Sequence, residues 1–318
     1  ETPFGASETA TSGVKGGLFV HTLSYPRKVR NNDPDTCGQN VVTWVGQVGA
    51  LRVGDNNDLY DAEGNRLDFT ESEPGEVAVI AADGTSRDIS FDEINYFWNT
   101  TETLKAQSAR RIYTAVVEAP LDGNMLNTDI IRSTTEFEAL TPNESFLLSS
   151  QLDSASLVSF IRGSESGINY RSRSLGDTTY LLGDISTSPL IQGVPDYSYF
   201  TEFGDQTYDA YVKAKEGQRN IVYVASNNGM IQAINAGKTN ANRDGFDDGG
   251  PTDDGNIALG EELWAYIPFN LLPHLQWLAD KSYSRVPYFD GYMRTFDVKA
   301  WQGTSEENSN GHVDGWGT

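Results

Sequence analysis

The stretch TNANRDGFDDGGPTDDGN, residues 239–256, gathers oxygen-bearing side chains at the spacing a hard cation needs. Asn240, Asn242, Asp244 and Asp248 fall at positions 1, 3, 5 and 9 of a calcium loop. Gly245 at position 6 suits the sharp turn, and Phe246 at position 7 offers its backbone carbonyl. Several oxygens converging from one tight turn are what calcium favours, so these five residues are the candidate ligands and calcium the candidate cofactor. Position 12, where a bidentate Glu is expected, holds Pro251, which leaves Asp253 or Asp254 to fold back. The same residues also read as the solvated tip of an acidic hairpin. A thinner version, DNNDLYDAEGN, fails sooner, because steps of two from Asp55 pass Asn57 and reach apolar Leu59.

Catalytic groupings are harder to assemble. His21, His274 and His312 lie far apart, with no nucleophile elbow, phosphate-binding loop or His-x-x-x-His pair beside them. His274 sits inside the apolar run FNLLPHLQWL and reads as structural. Glu261 and Glu262 resemble a glycosidase pair only on paper, since adjacent residues of a strand point to opposite faces and cannot flank one bond. The expectation is therefore a binding or assembly protein, not an enzyme. Cys37 is the single cysteine, so neither an intrachain disulfide nor a cysteine-built zinc site can form. It is either a buried thiol or the partner of a cysteine elsewhere.

The elements that must position these residues are mostly strands. The chain has 318 residues with 31 Gly and 11% aromatic residues, a balance that suits many short strands and tight turns. A formal charge of −22 repels phosphate backbones and anionic membranes, so nucleic acid is excluded as a partner. No apolar run approaches the roughly 20 residues that span a bilayer, and VAVIAA (77–82) reads as a buried strand.

Residues 1–16, rich in Ser, Thr, Gly and Ala, read as a flexible leader, and residues 17–318 as one β-rich unit. GLFVHTLSYP opens with a strand, and 41–69 forms hairpins broken at Gly54 and Glu63-Gly64-Asn65. Ile94, Phe97, Trp98, Leu104 and Ala109 recur at helical spacing and predict a short peripheral helix within 92–115; SLVSFIRG predicts another, ended by Gly163. From Tyr180 onward strands dominate. Asn227-Asn228-Gly229 supplies the turn between VYVAS and MIQAIN, with Val222, Val224, Ile231 and Ile234 as core residues. Trp264, Ile267, Pro268 and residues 271–275 read as a strand leading into a short helical cover, and NGHVDGWGT as the opening of another strand.

The run IVYVASNNGMIQAINA followed by GEELWAYIPFNLLPHLQWLAD resembles the C-terminal β-propeller of the PilY family of type IV pilus biogenesis and adhesin proteins. ARRIYTA, FIRG with YRSRSLGD, LGDISTSPLIQGVP and SYSRVPYFDGYMRTFDV stand in that family's order, so the resemblance runs from about residue 40 to the end. It implies an all-β, quinoprotein-like β-propeller, present as about half the blades of a ring with short peripheral helices. It also implies a non-enzymatic protein exported through the periplasm to the pilus tip or cell surface, where minor pilins and the tip complex are its partners. Pilus assembly, adhesion to host or abiotic surfaces and twitching motility would be its tasks. The family's EF-hand-like loop lies in a later blade and carries over to no residue here. Two other readings stay open: a surface adhesin or scaffold propeller unrelated to pili, binding protein or glycan, and a quinoprotein-like dehydrogenase. The latter needs cofactor ligands that the sequence does not display.

Overall fold

The computed structural model describes residues 7–9, 18–30, 40–54, 56–70, 76–107, 109–117, 132–137, 154–165, 170–175, 178–193, 195, 205–249, 257–300 and 316–317. Cys37, Asp55, Pro251, Asp253, Asp254 and His312 lie outside them, as does the leader apart from Ser7–Thr9. The chain is mostly β-sheet with few, short helices, as its composition predicts.

The N-terminal sheet is an antiparallel meander of β1 (Ser7–Thr9), β2 (Leu18–Arg30), β3 (Asn40–Val53), β4 (Leu59–Tyr60), β5 (Arg66–Asp68), β6 (Glu76–Ile80) and β7 (Ser86–Ser90). Helix α1 (Thr100–Ala106), strands β8 (Ile112–Val117) and β9 (Arg132–Glu136), and helix α2 (Ser154–Arg162) follow. Next come the small pair β10 (Ser174–Leu175) and β11 (Thr178–Thr179), then β12 (Leu190–Gln192) and helix α3 (Gln206–Lys215). Strands β13 (Asn220–Ser226), β14 (Met230–Thr239), β15 (Phe246–Asp247) and β16 (Glu262–Ile267) lead to α4 (Leu275–Ala279) and the pair β17 (Val298–Lys299) and β18 (Trp316–Gly317).

The second sheet has the order β12-β13-β14-β16-β8-β9. Its first four strands form a sequential antiparallel meander, whereas β16 meets β8 in parallel with Ala265 opposite Ile112. Alternation along the strands divides the core. Leu18 and Val20 of β2, with Val48 and Ala50 of β3, face Val222, Val224, Ile234 and Ala236 of the second sheet. Phe19 and Leu51 face the other way, onto Leu67, Val77, Ile89 and Tyr96. A third cluster seats α2 (Leu157, Phe160, Ile161) and α4 (Leu275, Leu278) on Met230, Ala265 and Ile267.

Two glycines let the sheets meet. A Cβ on Gly46 would stand 2.1 Å from the Gly183 carbonyl oxygen, and one on Gly183 would stand 2.5 Å from the Asn228 nitrogen. Gly46 N donates to Leu182 O at 3.1 Å across this contact. Backbone therefore stacks on backbone where any side chain would push the layers apart.

The helix expected within 92–115 is largely an extended segment. Ile94, Tyr96, Trp98 and Thr100 are buried in steps of two, the period of a strand, and Phe97 N and Trp98 O bond Ala50 of β3. Only Thr100–Ala106 is helical, capped by Asn99, whose side chain accepts from Glu102 N. The strands expected after Tyr180 are interrupted by α3, which Asp205 caps and Gly217 (φ +76°) follows. Val222, Val224 and Ile234 are core residues as expected, while Ile231 is only half-buried. In the Asn227-Asn228-Gly229 turn only Gly229 adopts positive φ (+85°), after a Ser226 O to Gly229 N bond.

Candidate functional site

Residues 239–249 form a compact loop rising from β14. Asn240 N donates to Gly245 O at 3.0 Å, and Arg243, at φ +58°, turns the chain while its N–H donates to Asn240 O. Asn240 Nδ2 donates to Asp244 Oδ1 at 2.7 Å, and Asp244 N donates back to Asn240 Oδ1 at 3.2 Å. Two of the five candidate calcium residues thus meet, with an amide nitrogen toward the carboxylate. Asn242 is exposed; the Phe246 ring is buried edge-on against Phe97, with centroids 5.2 Å apart; Asp248 accepts from Asn235 Nδ2 through its backbone oxygen. Among the described residues, no three His, Cys, Asp or Glu side chains gather where they could hold a metal ion.

In the thinner loop, Asp61 is buried and accepts from Glu63 N, Asn65 N and Asn65 Nδ2, so its oxygens serve the turn. His274 packs edge-on against Trp277 and Tyr288, with centroids 4.8 and 5.8 Å away. Burial pushes the Tyr288 hydroxyl up to about 12. Glu261 and Glu262 do point apart: Glu261 accepts from Ala258 N near the surface, while Glu262 is fully buried.

Glu262 belongs to a polar framework that matches no sequence motif. Arg110 clasps it with two bonds, Nε to Oε1 at 2.9 Å and Nη2 to Oε2 at 2.7 Å, both side chains out of water. Arg162 of α2 then donates to Arg110 O and Phe137 O at 2.6 and 3.0 Å. The framework ties β16, the lead-in to β8 and the C-terminus of α2 together. Its signal in the sequence is a charge set at the edge of an apolar run, Arg110 before IYTAVV and Glu262 before LWAYI.

A second hub is Asn227. Its Nδ2 donates to Asp184 Oδ2 and Ser186 Oγ at 2.9 and 2.8 Å, and its Oδ1 accepts from Tyr288 N and Phe289 N. Arg285 Nε completes the Asp184 pair at 2.7 Å. Beside it, Arg173 pairs with Glu165 at 2.7 Å and lies 3.9 Å over the Phe160 ring; burial, ahead of that pairing, lowers its guanidinium to about 10. The cavity between these groups measures about 30 Å³, room for two waters and far too small for a metabolite.

Large apolar side chains emerge on the surface in and after α4. Tyr292 is 82% exposed and Phe296 64%, with Trp277 and Val298 also open. Among the described residues no helix is long and apolar enough to cross a membrane.

With the geometry in place, comparison adds one relative. Over 149 residues the chain is 26% identical to the type IV pilus biogenesis factor PilY1 homolog of Xylella fastidiosa (strain Temecula1), a stretch covering 46% of this chain and 10% of that protein. The chain thus spans about a tenth of its relative. No family model and no solved structure matches it.

A buried ion pair broken on one side leaves an uncompensated charge, which costs about 3–5 kcal/mol. Glu262→Gln and Arg110→Met are each expected to lose stability of that order in chemical denaturation of the full-length protein. The double replacement Arg110→Met/Glu262→Met is expected to recover much of it. Additive losses would show that the two side chains act independently.

Proposed function

We propose that this chain is part of a PilY-type, pilus-associated protein that acts by docking and not by turnover. The observation that carries the reading is its likeness to a type IV pilus biogenesis factor. The architecture is compatible: β12-β13-β14-β16 has the strand order of one propeller blade, and the face-to-face contact with the N-terminal sheet is how adjacent blades pack. On this reading the chain contributes blades to a ring completed by sequence outside it. The described cavity is too small for a substrate, whereas Tyr292, Phe296 and Trp277 offer the exposed aromatic surface typical of interface anchors. Minor pilins of a tip complex are the proposed partners, and the pilus tip or cell surface the proposed location, with assembly, surface adhesion and twitching as the outcomes.

Calcium in the loop 240–248 is part of the proposal. Turning the Asn240 amide over would bring its oxygen beside the Asp244 carboxylate, changing a donor–acceptor pair into two cation ligands. The loop would then be a cation-stiffened edge of the docking face.

Three experiments test these proposals. Deleting the encoding gene is expected to abolish surface pili and twitching, and the full-length chain to restore both. A Tyr292→Ser/Phe296→Ser chain should melt like wild type yet capture minor pilins more weakly. Normal pili and twitching in the deletion strain would sink the pilus reading. For the loop, calcium is expected to raise the Tm of the full-length protein less in an Asp244→Ala/Asp248→Ala variant than in wild type. An identical response would assign any calcium effect to another site.

A further inference from the structure

The cavity beside Asn227 has two arginines in its wall. Its wall includes Arg171, Arg173, Leu181, Leu182, Asp184, Asn227, Asn228 and Tyr283. Several acceptors in that wall are already engaged from within the protein. Leu181 O receives Asn228 Nδ2, Leu182 O receives Gly46 N, and Asp184 O receives Asn227 N. Asp184 Oδ2 accepts from Arg285 and Asn227, and both Asn side-chain oxygens are likewise used.

Arg171 is different. Its Nε donates to Leu278 O, and its guanidinium lies 4.5 Å over the Tyr283 ring, which fixes the plane of the fork. Among the described residues its two terminal amino groups meet no acceptor and no carboxylate, whereas Arg110, Arg173 and Arg285 each have one. Burial lowers the Arg171 pKa, and its electrostatic interactions with Tyr283 and Glu165 offset that only in part. A half-buried guanidinium whose amino groups meet no acceptor among the described residues is a local reversal of sign in a chain of net charge −22.

We propose that the cavity is a receptor for a single carboxylate, bound end-on by the two amino groups of Arg171. The dimensions agree: about 30 Å³ accommodates two oxygen-sized atoms, and the planar fork of an arginine matches the two oxygens of a carboxylate. The carboxylate comes either from a small free acid or from an acidic side chain of a docking polypeptide. The site owes nothing to the pilus reading and stands or falls separately from it.

The test is anion-dependent melting of the full-length protein at constant ionic strength, with sodium acetate replacing sodium chloride. Wild type is expected to show a saturable Tm rise of roughly 1–3 °C. Arg171→Lys keeps the charge but not the fork, and should weaken the half-saturation point about tenfold. Arg171→Met should abolish the rise. A capped tripeptide with a central Asp distinguishes the sources: protection by it as well as by acetate identifies a chain-borne carboxylate, and protection by acetate alone a free acid. No shift in wild type, or equal shifts in wild type and Arg171→Lys, would overturn the proposal.

Discussion

Glu262 and Arg110 are taken out of water together, and much of the second sheet follows from that. Desolvating either ion alone costs several kcal/mol, so the pair is tolerable only in a geometry that satisfies both. That geometry is the two-bond clasp, and it requires the start of β16 and the residues before β8 to lie side by side. The parallel pairing of Ala265 with Ile112 is the result, a contact between segments about 150 residues apart that no local propensity would produce. Arg162 extends the constraint to α2 by bonding the carbonyl of Arg110 itself. Sheet, crossover and covering helix are thereby locked to one arrangement.

The same logic of buried polar groups shapes the turn between β13 and β14. Asn227 acts less as a turn former than as a bracket, joining the strand ends to residues 184–186 on one side and 288–289 on the other. Glycine at 46 and 183 permits the close backbone approach that bracket needs. What remains between these fixed parts is a small cavity with Arg171, Arg173, Asp184 and Asn227 in its wall.

Local features were legible in the sequence wherever periodicity and turn chemistry decide structure. The hairpins around Gly64 and Gly229, helix α2 with its Gly163 stop, and the helical cover after Pro268 all follow from short-range patterns. The segment around Trp98 was misleading, because its apolar residues satisfy a helical and an alternating pattern at once, and packing on β3 selects the extended one. Helix α3 is carried by its Asp205 cap and by Tyr208 and Tyr211, which bury themselves by bonding Asp297, a residue far along the chain. The arginine framework left only a faint signal for the same reason: a charge at the edge of an apolar run reads as surface until its distant partner is known. Of the calcium candidates, the spacing predicts a loop, and the loop exists, yet only Asn240 and Asp244 are brought into contact.

On the proposed reading, β12-β13-β14-β16 is one blade of a ring packed against its neighbour through Val222, Val224 and Ile234. An electron cryo-microscopy structure of the full-length protein tests it most directly. The account predicts further four-stranded meanders repeating around a central axis, with the Arg110–Glu262 clasp intact at the edge of this one. A closed two-layer sandwich with no such repetition would contradict it.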